Sequence, residues 1–222
     1  MHLYVTNSYT IISLTIPAIW IAFILSVVVT MLLLWWRFSK RLASFYSDCV
    51  VTFLIVWKLS IIVTDFQVVV NQPLSILYFT TGAVSICIGI IAVVINVLRA
   101  FRKGVVQLED LPALLASIIF MQGVYQLFVV LLNDNTYWQE LLTVIVFAII
   151  GIVAVWKLRV SENWRLQIAL FFVIGHIFVA LMQPKGILQP SLLSSIFFIS
   201  LYFIIPYWPR MKQEIHITEE NK

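Results

Sequence analysis

Long apolar runs recur along the chain, broken by short polar connections. The runs are Pro17–Trp36, Val50–Thr64, Leu74–Leu98, Leu111–Leu132, Glu140–Trp156, Leu166–Met182 and Ser191–Trp208. Crossing about 30 Å of hydrocarbon takes roughly 17–25 mostly apolar residues in a helix. The pattern therefore predicts an all-α polytopic membrane protein with seven transmembrane helices. The second run is the shortest, and its helix is expected to start nearer Ser47 and to run on past Asp65. On this reading residues 1–16 form a short extracytoplasmic segment, residues 17–208 the seven-helix domain and residues 209–222 a cytoplasmic tail.

Composition agrees with the pattern. Of 222 residues, 62% are hydrophobic and 11% charged, far from the roughly half and quarter of soluble domains. The net charge of +4 comes from basic clusters lying between apolar runs, which points to anionic membrane phospholipid as a partner and away from nucleic acid. Residues 1–16 carry no Lys or Arg and no small-residue cleavage site follows, so the start does not read as a cleavable signal peptide. Cys49, near a cytoplasmic helix end, and Cys87, deep in a span, are not expected to form a disulfide.

The basic residues also give a direction. Arg37, Lys40 and Arg41, then Arg99, Arg102 and Lys103, then Lys157, Arg159 and Arg165, and finally Arg210, Lys212 and Lys222 all fall on one side, twelve of the fourteen Lys and Arg residues. Only Lys185 falls on the other side, and Lys58 lies within a span. Cytoplasmic connections are enriched in Lys and Arg, so the N-terminus is expected outside and the C-terminus in the cytoplasm. Trp35, Trp36, Tyr137, Trp138, Trp164, Tyr207 and Trp208 stand at span ends, where an interfacial aromatic belt belongs.

The short connections hold no phosphate loop, metal-ligand cluster or nucleophile elbow, and no cofactor is expected. Any chemistry belongs to polar residues at membrane depth. Lys58 lies about 9–10 Å below the outer end of the second span by the helical rise. A charge at that depth is costly and normally faces a partner or a wet cavity. Gln126 on the fourth span, His176 on the sixth, and Thr80 and Thr81 on the third lie at similar depth, with Tyr125 beside Gln126. This layer is a candidate lipid-headgroup site; alternatively, its members serve only as interhelical hydrogen bonds. Gly82, Ser85 and Gly89 share one face of the third helix and suit close helix packing. Asp110 and Pro112 suit the start of the fourth helix.

Three stretches resemble the prolipoprotein diacylglyceryl transferase family of bacterial membrane enzymes. Val56-Trp57-Lys58-Leu59 is similar to the family's Gly-Ala-Arg-Leu, with the positive charge kept at Lys58. Asn71-Gln72-Pro73 and the run Gly82-Ala83-Val84-Ser85-Ile86-Cys87-Ile88-Gly89 resemble its Asn-Pro and Gly-Gly-Met-Ser-Phe-His-Gly-Gly signature. Asp110 and Gly123 resemble the spacing from its Asp to its Gly-Arg-x-Gly-Asn-Phe motif, and Phe128 is kept. Cys87 stands in place of the family's histidine, Val124 in place of its arginine and Leu127 in place of its asparagine. Around Gly175-His176 the family's sixth-span pattern is not recognisable, with only Gln183-Pro184 faintly similar.

The resemblance implies seven spans in the same orientation, a bacterial cytoplasmic membrane, and a phospholipid or lipoprotein substrate taken from the outer leaflet. It also implies a transferase that moves a diacylglyceryl group from phosphatidylglycerol to a lipoprotein thiol. That reaction requires cations to hold the phosphate, and Val124 supplies none. A second reading is a non-enzymatic scaffold or assembly partner for another membrane protein. A small transporter is disfavoured, because no pair of spans reads as broken or repeated. The site expected from sequence is Lys58, Tyr125, Gln126 and His176 with Thr81 and Ser85.

Overall fold

A backbone in hydrocarbon must satisfy its own N–H and C=O groups, so apolar runs of this length close into helices. The structure is a computed structural model that describes residues 7–11, 14–71, 83–134, 136–183 and 186–205. In chain order its elements are β1 (Ser8–Ile11), β2 (Leu14–Pro17), α1 (Ala18–Arg37), α2 (Lys40–Leu59), α3 (Ile61–Thr64), α4 (Phe66–Asn71), α5 (Ala83–Arg102), a 3-10 turn (Leu108–Asp110), α6 (Leu111–Leu132), α7 (Tyr137–Lys157), α8 (Glu162–Met182), a second 3-10 turn (Gly186–Leu188) and α9 (Pro190–Ile204). Among the described residues six stretches are long and apolar enough to cross a membrane: Ala18–Arg37, Lys40–Thr64, Val84–Arg102, Leu108–Leu132, Tyr137–Lys157 and Glu162–Met182. Pro190–Ile204 is apolar but shorter. The protein is an all-α, multi-pass membrane protein.

Several boundaries differ from the apolar runs, because helical hydrogen bonding continues past the point where side chains turn polar. The second helix begins at Lys40, ahead of both Val50 and Ser47, and the third ends at Arg102 instead of Leu98. Its predicted start at Leu74 lies outside the described residues, as do the tail after Ile205 and the cations Lys185, Arg210, Lys212 and Lys222.

The chain divides into two units, residues 1–39 with 108–222 and residues 40–107. In the first, the N-terminal segment is a hairpin, which the hydrophobic pattern did not signal. Strands of four residues are too short to register as alternation. Ser8 pairs with Pro17 and Ile11 with Leu14. The Asn7 N–H donates to Asn133 Oδ1 at 2.9 Å and the Tyr9 hydroxyl to the Leu132 carbonyl at 2.9 Å, which ties the hairpin to the end of α6.

The first unit is built around α1 and α6, its most extensively packed pair. On α1 the buried residues Ala18, Ala22, Ser26, Thr30 and Leu34 recur every four positions, forming a ridge of mostly small side chains that lets a neighbouring backbone approach. The Ser26 hydroxyl donates to the Phe23 carbonyl at 2.7 Å and meets Met121 Sδ of α6 at 3.4 Å. A Cβ placed on Gly175 of α8 would stand 2.9 Å from Ile150 Cδ1 and 3.0 Å from Val146 Cγ1, so glycine permits the α7–α8 approach.

In the second unit α2 packs on α5. Ser85 is buried, and a Cβ on Gly89 would meet the Phe53 ring at 2.9 Å, so this small-residue face is a helix-packing face. Asn96 donates to Thr52 Oγ1 at 3.5 Å. Cys87 faces outward, not into apolar protein, and both cysteines are free. The second helical stretch is interrupted twice, at Ser60 and at Asp65. Ser60 donates its hydroxyl to the Trp57 carbonyl at 2.6 Å, a local bond that competes with the helix ladder and bends it.

Candidate functional site

Gln126 and His176 each lie six residues before the end of their helix, α6 ending at Leu132 and α8 at Met182. At 1.5 Å per residue both stand about 9 Å below those ends. The two meet: Gln126 Nε2 is 3.1 Å from His176 Nε2. The same amide donates to Ser191 Oγ of α9 at 2.9 Å, and the Ser191 hydroxyl reaches Gln189 Oε1 at 3.4 Å. Gln126 is 2% exposed, His176 0%, and Gln189 is also buried. The His176 ring meets two mutually touching aromatic rings edge-on, with centroids 5.4 Å from Phe147 and 5.8 Å from Phe172. Three helices and the connection before α9 therefore converge on one polar cluster.

Counting hydrogens sets its chemistry. A primary amide has two N–H donors. One goes to Ser191 and the other to His176 Nε2, so that ring nitrogen accepts and Nδ1 carries the imidazole hydrogen. His176 Nδ1 and Gln189 Nε2 are then buried donors with no hydrogen-bond acceptor among the described residues. A buried N–H without an acceptor costs on the order of 1–3 kcal/mol. The cluster is thus suited to an acceptor oxygen and offers no carboxylate to a cation. Among the described residues no group of three His, Cys, Asp or Glu lies together.

The other expected residues are placed differently. Tyr125 is half-buried beside Gln126 on α6. Lys58 belongs to the second unit, in the last turn of α2, where its Nζ stands 5.1 Å from the centre of the Trp57 ring. Ser85 also belongs to the second unit, and its hydroxyl is buried without a hydrogen-bond partner among the described residues. Thr80 and Thr81 lie outside the described residues. The described partners of Gln126 and His176 all come from the first unit. Asp110 precedes α6, with Pro112 in the first turn.

Sequence reasoning missed Ser191 and Gln189. Depth counted from a run's end puts both at the surface. In the structure the 3-10 turn Gly186–Leu188 leads into a buried Gln189, and α9 begins at the depth of Gln126. The motif Gln189-Pro190-Ser191, polar residues flanking a proline able to start a helix, is the only local signal of this.

Compared with known proteins, the chain matches no family model, no curated protein and no solved structure.

Proposed function

We propose that the protein crosses a bacterial cytoplasmic membrane seven times, N-terminus outside, and holds an oxygen-rich lipid or lipid-anchor headgroup from the outer leaflet at the Gln126–His176–Ser191–Gln189 cluster. The observation that carries this reading is the pair of buried donors, His176 Nδ1 and Gln189 Nε2. An ester carbonyl or phosphate oxygen of a lipid would satisfy both, and water cannot reach the hydrocarbon layer to do so cheaply.

The seventh span is supported by the same geometry. Fifteen residues reach only about 22 Å at 1.5 Å per residue. Because α9 starts at the level of Gln126, that length covers most of what remains. The orientation is supported within the first unit by its ends. Arg37 and Arg159 meet at one end, whereas Asn133 and the hairpin meet at the other without a described Lys or Arg. Resemblance to the diacylglyceryl transferases supports a lipid ligand, while Val124 in the place of that family's arginine favours binding without transfer.

The test is lipid retention after purification in nanodiscs of native membrane, read by native mass spectrometry. Wild type is expected to carry a tightly held phospholipid or lipidated peptide. Gln189→Leu, which leaves the Gln126–His176 contact in place, is expected to lose most of it. Equal retention in both would overturn the site. Transfer of labelled diacylglycerol from phosphatidylglycerol to a lipobox peptide would overturn the binding-only reading. If that transfer is abolished by Lys58→Met but not by Gln189→Leu, the chemistry belongs to the second unit.

A further inference from the structure

The opposite end of the first unit carries Arg37, Lys157 and Arg159. Arg37 is the last residue of α1, and its Nε donates to the Val155 carbonyl of α7 at 3.1 Å. Arg159, in the connection after α7, donates through a terminal nitrogen to the Arg37 carbonyl at 3.2 Å. Its guanidinium lies 5.9 Å from the centre of the Phe38 ring. Lys157 places Nζ 5.1 Å from the centre of the Trp164 ring at the start of α8. Arg37 and Arg159 are therefore joined through a backbone carbonyl, and Lys157, the last residue of α7 and two before Arg159, rests on an aromatic face. None of them forms an ion pair among the described residues, although Glu162 opens the following helix, α8.

Like charges repel, and a fold normally separates them or interleaves carboxylates. Here each guanidinium spends one donor on a backbone carbonyl and keeps the rest of its planar fork, the geometry that matches phosphate oxygens. Ring faces hold the lysine and one arginine without neutralising them. The depth is also set. Trp36 is 76% exposed and Trp156 70%, both at this end, and such aromatic side chains settle at the level of the lipid headgroups.

We infer that Arg37, Lys157 and Arg159 form a binding site for the phosphate of an anionic phospholipid in the leaflet at this end, the cytoplasmic leaflet in the orientation proposed above. The site shares no residue with the Gln126–His176 cluster. Loss of either function by mutation therefore leaves the other readable.

The experiment is retention of phosphatidylglycerol against phosphatidylcholine by the full-length protein in nanodiscs containing both lipids, counted by native mass spectrometry. Each cation near an anionic surface contributes roughly fivefold in binding. Lys157→Gln is expected to lower phosphatidylglycerol occupancy about fivefold, and Lys157→Gln with Arg159→Gln about 25-fold. Arg159→Lys, which keeps the charge but loses the planar fork, is expected to lower it by less than about fivefold. Arg99→Gln removes one positive charge from the second unit and serves as the comparison. If it lowers occupancy as much as Lys157→Gln, general attraction to basic connections is the cause and the site is overturned. Equal retention of the two lipids by wild type overturns it as well. Displacement of bound lipid by millimolar glycerol phosphate would keep the phosphate chemistry but overturn the lipid as its source.

Discussion

Removing Gln126 tests whether the cluster is a coupled unit. Its amide makes two interhelical hydrogen bonds, 3.1 Å to His176 and 2.9 Å to Ser191. Such bonds in membrane proteins average about 0.6 kcal/mol and reach about 1.7. Losing both, Gln126→Leu is expected to destabilise the protein by about 1–3 kcal/mol. His176→Leu loses one of these bonds and two edge-on ring contacts, each worth about 0.5–1.5 kcal/mol, for a total of about 1.6–4.7 kcal/mol. The double variant loses their shared bond only once, and its cost should fall below the sum of the singles by about 0.6–1.7 kcal/mol. Equilibrium unfolding in mixed micelles with rising SDS, followed by tryptophan fluorescence, measures all four proteins. This cycle isolates the pair even though each single change also alters packing. Additive costs, with no coupling beyond about 0.3 kcal/mol, would refute the contact. The donor count at His176 Nδ1 would then fail with it, since it depends on Nε2 accepting from Gln126.

Two further outcomes follow from packing and capping. Gly89→Ala would drive a Cβ to 2.9 Å from the Phe53 ring, which stacks on Trp57 at 6.2 Å and has little room to yield. A cost of about 1–3 kcal/mol in the same unfolding assay is expected, recovered in part by Phe53→Leu. A Gly89→Ala protein as stable as wild type would deny the close α2–α5 approach. Gln139 closes a capping box with Thr136 at the start of α7 and also donates to the Met182 carbonyl at the end of α8, at 2.7 Å. Thr136→Ala should cost about 1 kcal/mol, and Gln139→Ala more, because it releases the end of α8 as well. The reverse order would show that the bond to α8 contributes nothing.

Why the sequence disclosed some of this and concealed the rest follows from what each signal measures. Span count and depth come from apolar length, a one-dimensional quantity, and depth counting from helix ends placed Gln126 and His176 at one level before any contact was known. It placed Lys58 at that level too, but depth says nothing of angle around the bundle. Membership of a site is decided by which side chains meet, and Lys58 belongs to the second unit, where its described ring contact is Trp57. Ser191 and Gln189 were hidden for the converse reason. Their depth depends on the connection at 183–189 entering the buried layer, which no periodicity records. The basic residues show the same division. Their sequence positions carry an expectation of the side of the membrane, yet nothing in the spacing of Arg37 and Arg159 indicated that a backbone carbonyl would join them. A polar residue in a membrane sequence thus identifies a layer, and only its hydrogen-bond inventory identifies a site. In the Gln126–His176 cluster that inventory ends on two donors, at His176 and Gln189, and a ligand for the cluster should be sought among molecules that bring acceptors.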